Sequence, residues 1–287
     1  MSSGFERFVG IDWSGDKKVW QKALKIAVAL PGRSAPVLVD PPSGQRGWSR
    51  TEAATWIEDQ CLKSRALIGL DFAFGFPPVT LPQGTVLDWE YVEKLCERHS
   101  NLYGGAFFRP PTCEHSHLIN SPWLPRDSYS ADDLRTTDVT AMKLAGARPQ
   151  SIFNAIGPAQ VGPSSISGMR ALRLLRARLG DRVTIWPFDE LRPTGSVIVE
   201  IFPRYYPLSK GKNAKLAHQA ALNDALAAFE SEGVRLAPKT EDEGDALLSA
   251  AALRYLSRES SLFRLPDLSI RSEGWIFGVP VESYRPI

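Results

Sequence analysis

Hydrophobic positions in this chain fall into short apolar runs and helical stripes that alternate along its length. Phe8, Val9 and Ile11 predict a buried strand, because aromatic and β-branched side chains fit a pleated, covered surface. That run nevertheless ends on Asp12, within Phe8-Val9-Gly10-Ile11-Asp12-Trp13-Ser14-Gly15. Residues 19–30 and 36–40 predict two further strands across the turn signal Pro31-Gly32-Arg33-Ser34, an antiparallel hairpin. Ser49 and Glu52 form a capping-box pattern ahead of Ala53, Trp56, Ile57 and Cys61, which predicts a helix over 51–64.

A second apolar run, Ala66 to Leu70, ends on Asp71, and a third, Ser196 to Phe202, carries Glu200 between Val199 and Ile201. The third is apolar enough to predict a strand covered on both faces. Between them, Val92, Leu95 and Cys96 predict a helix over 85–99, and Met169, Leu172, Leu175 and Leu179 predict one that stops at Gly180. Glycines and hydroxyls at 157–168 lead into that helix. Leu222, Leu226 and Phe229 give an amphipathic helix over 213–230. The segment Asp245 to Leu253 is apolar nearly all round, the mark of a buried helix, yet it begins with Glu241, Asp242, Glu243 and Asp245.

Strands and helices in this order predict an α/β fold, a mixed sheet flanked by helices. One domain over 1–287 is expected, with 78–165, rich in Pro, Gly, Arg and aromatics, as a long insertion. Hydrophobic content of 43% with 23% charged residues argues against disorder or a fibrous repeat. A net charge of +2 leaves nucleic acid open, since binding depends on local clusters of Lys and Arg. No apolar run is long enough to cross a bilayer and the first residues lack a secretory pattern, so a cytoplasmic protein without a membrane partner is expected. Cys61, Cys96 and Cys113 are too few for a disulfide scaffold.

Asp12, Asp71 and Glu200 on core strands and Asp245 on a buried helix occupy places where carboxylates are costly without compensation. Ends of parallel strands line a common crevice, and carboxylates converging there repel one another unless a multivalent cation neutralises them. Hard oxygen donors suit Mg²⁺ or Mn²⁺, and four of them imply two ions. Two-metal sites stabilise the attacking and leaving oxygens of a phosphodiester displacement. At any one position, the competing reading is a strand-end turn or a helix cap; capping does not account for Glu200.

The order strand-Asp, hairpin, helix, strand-Asp, strand-Glu, helix-Asp resembles the RNase H-like fold. The local wording resembles domain-of-unknown-function family 429, whose members are predicted nucleases of that fold. The resemblance is carried by Gly10 to Gly15, Ile68 to Pro77, Gly157 to Gly168, Trp186 to Asp189, Val199 to Arg204, Asp242 to Arg254 and Glu273 to Val279. It implies that Asp12, Asp71, Glu200 and Asp245 are both the catalytic residues and the ligands of Mg²⁺ or Mn²⁺, with Asp12 bridging two ions. Unlike better-known enzymes of that fold, the first helix offers no obvious ligand, and Glu200 takes that place.

Arg204, Tyr205, Lys210 and Lys212 follow the Glu200 strand and combine phosphate-binding cations with a ring that can stack on bases. Gln160 lies among amides able to meet a phosphate at a helix N-terminus. Nucleic acid is the expected partner. Arg170, Arg173, Arg176 and Arg178 read as the wet face of their helix. Cys96, His99, Cys113, His115 and His117 carry zinc-ligating groups, but their spacing fits no standard structural site. Phe72, Phe74 and Phe76 read either as a crevice wall or as core. Two further functions compete with a nuclease: a phosphotransferase of the actin and sugar-kinase type, and a non-catalytic nucleic-acid binder.

Overall fold

The computed structural model of the chain describes residues 4–78, 86–104, 133–155 and 160–283. Among them, strands β1 (Arg7–Asp12), β2 (Lys25–Ala29), β3 (Val37–Val39), β4 (Ala66–Leu70), β5 (Val183–Ile185) and β6 (Ser196–Glu200) form one sheet in the order β3-β2-β1-β4-β6-β5. β2 runs antiparallel to β1 and β3, whereas β1, β4, β6 and β5 run parallel to one another. The helices are α1 (Arg50–Lys63), α2 (Trp89–Cys96), α3 (Thr136–Ala145), α4 (Gly162–Leu179), α5 (Tyr205–Ser209), α6 (Gln219–Ala227), α7 (Glu241–Leu256) and α8 (Leu268–Arg271). The expected mixed α/β architecture is present.

Side chains alternate across a strand, and this sorts the core into two layers. Phe8, Leu67, Val197 and Val199 pack with α7 on one face of the sheet. Val9, Ile11, Ile68, Leu70 and Ile198 pack with Ile57 of α1 and with Leu172 and Leu175 of α4 on the other. Gly10 and Gly69 are register partners, and a β-carbon on Gly10 would stand 2.4 Å from the Ala246 carbonyl oxygen and 2.7 Å from the Ala250 amide. Glycine therefore lets α7 lie directly on β1, and the run Ser249-Ala250-Ala251-Ala252 keeps the helix thin where they meet. Thr240 caps α7 by accepting a hydrogen bond from the Glu243 amide, which fixes the acidic first turn at the same sheet edge as the end of β1.

Several predicted boundaries shift. β2 begins only at Lys25, because Val19 and Trp20 are exposed and Gln21 instead bridges Trp48. The helix expected over 213–230 is confined to Gln219–Ala227, where Leu222, Ala225 and Leu226 turn inward. Asp88, which accepts a hydrogen bond from the Tyr91 amide, starts α2 four residues later than expected from 85. β5 and α3 had no counterpart in the sequence reading. Within the expected insertion, Val92 and Cys96 of α2 and Ile152 and Phe153 pack with Ile166 and Met169 of α4, so its described parts join the core. Among the described residues no helix is long and apolar enough to cross a membrane.

Candidate acidic site

Parallel pairing brings the ends of β1 and β4 to one edge of the sheet, and the Asp71 amide extends their ladder by donating to the Ile11 carbonyl at 3.0 Å. Asp12 shares the strand face of Gly10, two residues before it, and so lies on the side covered by α7. The first two turns of α7 supply Asp242 and Asp245. Asp12, Asp71 and Asp245 are all partly exposed, and among the described residues no hydrogen bond or ion pair reaches any of the three carboxylates.

Their electrostatics agree with convergence. Burial, then the charges of Asp71, Asp245 and Asp242, hold the Asp12 carboxyl well above the ordinary carboxylate value, with Lys25 opposing. Burial, then Asp245 and Glu200, do the same to Asp71. Asp245 is pushed up to about 7 by burial and by Glu241 and Asp242, against the pull of Arg204. Asp71 and Asp245 thus disfavour the charge of Asp12, and Asp245 disfavours that of Asp71.

Glu200 differs from these three. It stands opposite Leu70 in register, on the sheet face covered by α1 and α4, and its carboxylate is fully engaged. Its Oε2 accepts from the Phe74 amide at 3.0 Å and from Arg135 Nη1 at 2.7 Å, and its Oε1 accepts from Arg135 Nη2 at 2.6 Å. Arg135 also forks onto Asp138. Burial works against the Arg135 guanidinium, but the adjoining Asp138 and Glu200 outweigh it and hold its pKa above the ordinary value. Burial raises Glu200, with Arg135 and the Phe74 amide acting in the opposite direction. The expectation of Glu200 as a metal ligand thus meets a carboxylate already held by Arg135 and the Phe74 amide. Arg135 was not picked out in the sequence, and its only signal there was an Arg three residues before an Asp.

The loops that follow β1 and β4 are pinned to the start of α4. Trp13 Nε1 donates to Ser167 Oγ at 3.0 Å, the Ala73 amide donates to Ser165 Oγ at 3.1 Å, and a β-carbon on Gly15 would stand 2.4 Å from the Ser164 amide nitrogen. Trp13-Ser14-Gly15 therefore docks the exit of β1 against that helix. Beside it a cleft of about 260 Å³ opens between Asp71, Glu200, Arg135, Trp13, Gln160 and Ser164.

The residues expected to hold nucleic acid divide. Gln160 is exposed on the cleft wall. Arg204 is exposed, donates to the Ala214 carbonyl at 2.7 Å and to Asn213, and acts electrostatically on Asp245. Tyr205 is buried with its neighbour Tyr206, which rules out the stacking surface expected of it. Lys210 covers the rings of Phe229 and Tyr255, and Lys212 pairs with Asp224 at 2.5 Å.

The secondary candidates resolve structurally. Arg170, Arg173, Arg176 and Arg178 pair with Glu93, Glu90, Asp189 and Glu58 respectively, and Arg170 is buried rather than wet. Phe72, Phe74 and Phe76 are core. Burial pushes the Cys96 thiol up to about 12, unlike a ligating thiolate; Cys113, His115 and His117 lie outside the described residues.

Among the described residues no group of three or more His, Cys, Asp or Glu side chains already stands arranged to hold a metal ion. By donor type alone, Asp12, Asp71 and Asp245 offer carboxylate oxygens without a hydrogen-bonding partner among the described residues, the hard donors that Mg²⁺ and Mn²⁺ take. No family model, curated protein or solved structure matches the chain.

Proposed function

We propose that this chain is a divalent-metal-dependent nuclease, and that Asp12, Asp71 and Asp245 hold its Mg²⁺ or Mn²⁺. One observation carries the reading: the carboxylates of Asp12, Asp71 and Asp245, from β1, the exit of β4 and α7, have no hydrogen-bonding partner among the described residues, while Asp71 and Asp245 raise the pKa of Asp12 and Asp245 raises that of Asp71. A structural carboxylate at a strand end or helix start would be matched by an amide or a cation, as Glu200 and Glu243 are. Acids maintained in electrostatic conflict fit a site completed by a cation.

An RNase H-like fold belongs to the same proposal. Its support is the order β3-β2-β1-β4, with β2 antiparallel and β1 and β4 parallel, an acid at the end of β1, another just past β4 and a third on the last long helix. When bound, the cation supplies Lewis-acid polarisation of the phosphoryl group. Mg²⁺ characteristically combines one or two carboxylates with substrate phosphate and water, so three acids suffice without Glu200. Gln160 on the cleft wall and Arg204, whose charge reaches Asp245, offer donors to a phosphate backbone.

The test is calorimetric titration with Mn²⁺, followed by incubation with branched DNA, an RNA–DNA hybrid and single-stranded RNA in Mg²⁺. Cation binding and cleavage by the native chain, both lost in Asp12→Asn at unchanged folding, are expected. A native chain that neither binds Mn²⁺ nor cleaves any of these substrates refutes the reading.

A further inference from the structure

Arg135 makes more hydrogen bonds than any substrate-binding role leaves room for. Its Nε donates to Asp138 Oδ2 at 3.0 Å, Nη1 to Glu200 Oε2 at 2.7 Å and to the Glu273 carbonyl at 3.2 Å, and Nη2 to Asp138 Oδ1 at 2.9 Å and Glu200 Oε1 at 2.6 Å. A guanidinium has five N–H donors, and these bonds use all of them. Although Arg135 lines the cleft beside Asp71, it has no donor to offer a phosphate.

The surroundings make this arrangement rigid. Arg135 and Glu200 are both almost completely buried. Glu273 accepts from the amide and hydroxyl of Thr136 at 2.7 and 3.1 Å, and the Ile276 amide donates to Thr137 Oγ1 at 3.0 Å. The segment entering α3 is thereby stapled to the residues that follow α8. The clamp decides which carboxylates are left for a cation. Arg135, Asp138 and Glu200 together carry one positive and two negative charges, with both Glu200 oxygens committed, whereas Asp71 beside them has no hydrogen-bonding partner among the described residues.

We propose that Arg135 is a positioning residue that withholds Glu200 from the cation, leaving the site to Asp12, Asp71 and Asp245. This rests on the metal-dependent reading above. Removing Arg135 frees a carboxylate next to Asp71 and deletes a nearby positive charge, and both changes favour a cation. Removing Arg135 and Glu200 together keeps the net charge and returns the site to its three acids. Replacing a buried ion pair as a unit is also far better tolerated than breaking it.

The test is Mn²⁺ calorimetry on the native chain, R135M and R135M/E200Q, with folding followed by circular dichroism. Mn²⁺ binding at least about tenfold tighter in R135M, a gain of roughly one unit of charge near the ion, and restored to within about threefold of the native value in R135M/E200Q, is expected. Should R135M not fold, the charge-balanced double variant decides alone. Loss of Mn²⁺ binding by tenfold or more in R135M/E200Q makes Glu200 a ligand and overturns the proposal. Unchanged affinity in a folded R135M also overturns it, leaving Arg135 as a strut of the fold. Both outcomes leave the nuclease reading standing, whereas failure of the native chain to bind Mn²⁺ removes both.

Discussion

Gly10 lies so close beneath Ala246 that a β-carbon on it would stand 2.4 Å from that residue's carbonyl oxygen. The contact sets the height of α7 above β1, and with it the distance between Asp12, two residues along the strand, and Asp245, one residue back along the helix. Packing in the core and geometry at the acidic site are therefore one constraint. Gly10→Ala forces backbone to move, because neither the carbonyl nor the Ala250 amide can rotate away as a side chain could. Overpacking of this kind costs about 1–3 kcal/mol, and the upper end is expected here. Urea denaturation measures it, and weaker Mn²⁺ binding should accompany the loss. An unchanged urea midpoint would mean that α7 slides freely over the sheet.

Asp245 makes stability depend on pH in a calculable direction. Burial, Glu241 and Asp242 raise its pKa to about 7, and Arg204 opposes them. An unfolded aspartate titrates near about 4. Between these values the folded chain binds the proton that the unfolded chain has released, so the Asp245 contribution weakens as pH rises from about 4 to about 7. The raised values of Asp12 and Asp71 act in the same sense. Urea midpoints at pH 5 and pH 8, without divalent cations, should show the decline, and Asp245→Asn should flatten it. A decline of the same size in that variant would assign it to other groups.

The parts of this architecture that depend on local periodicity were visible in the sequence. Short apolar runs, whose side chains alternate across the sheet, found β1, β4 and β6, the pattern at Ser49 and Glu52 found the start of α1, and an apolar helix with an acidic first turn found α7. The same alternation, followed one step further, separates Glu200 from Asp12, since Val197, Val199 and Ile201 share the α7 face and Glu200 must point the other way. What no local pattern carried is the partner. Arg135 reaches Glu200 across 65 residues of sequence, from a stretch without periodic hydrophobicity. Tyr205 misled for the same reason. Next to Arg204 and Lys210, Tyr205 reads as a stacking ring, yet the neighbouring Tyr206 hydroxyl donates to the Phe277 carbonyl at 3.1 Å, 71 residues away, and both rings lie in the core.

Trp13 and Ser167 provide a separate test of how the exit of β1 is held. The indole N–H donates to Ser167 Oγ at 3.0 Å in a buried setting, while Ser167 itself donates to the Ser164 carbonyl. Trp13→Phe removes the donor and some ring volume, and should cost about 1–2 kcal/mol. Ser167→Ala leaves the indole N–H buried without its partner and should cost a similar amount. Because both act on one bond, the double variant should cost less than the sum of the singles, with a coupling of about 1 kcal/mol. Strict additivity in thermal or urea unfolding would show that the bond contributes nothing.

A functional carboxylate and a structural one respond oppositely to neutralisation. If Asp12 merely capped the turn after β1, Asp12→Asn would lose a favourable interaction and melt earlier. Among the described residues its oxygens meet no donor, the charges that act on it most strongly are those of Asp71, Asp245 and Asp242, and Lys25 compensates only in part. Asparagine keeps the shape and deletes the repulsion, so without divalent cations at pH 8 Asp12→Asn should be more stable than the native chain. A gain of about 1 kcal/mol corresponds to a melting temperature roughly 2–4 °C higher for a chain of this order of size. Adding Mn²⁺ should reverse the ranking, since a cation bound only by the folded native site stabilises it by mass action and the variant lacks a ligand. Melting curves of both proteins, with and without the cation, supply all four values. A variant that melts earlier than the native chain without cation would return Asp12 to a structural role.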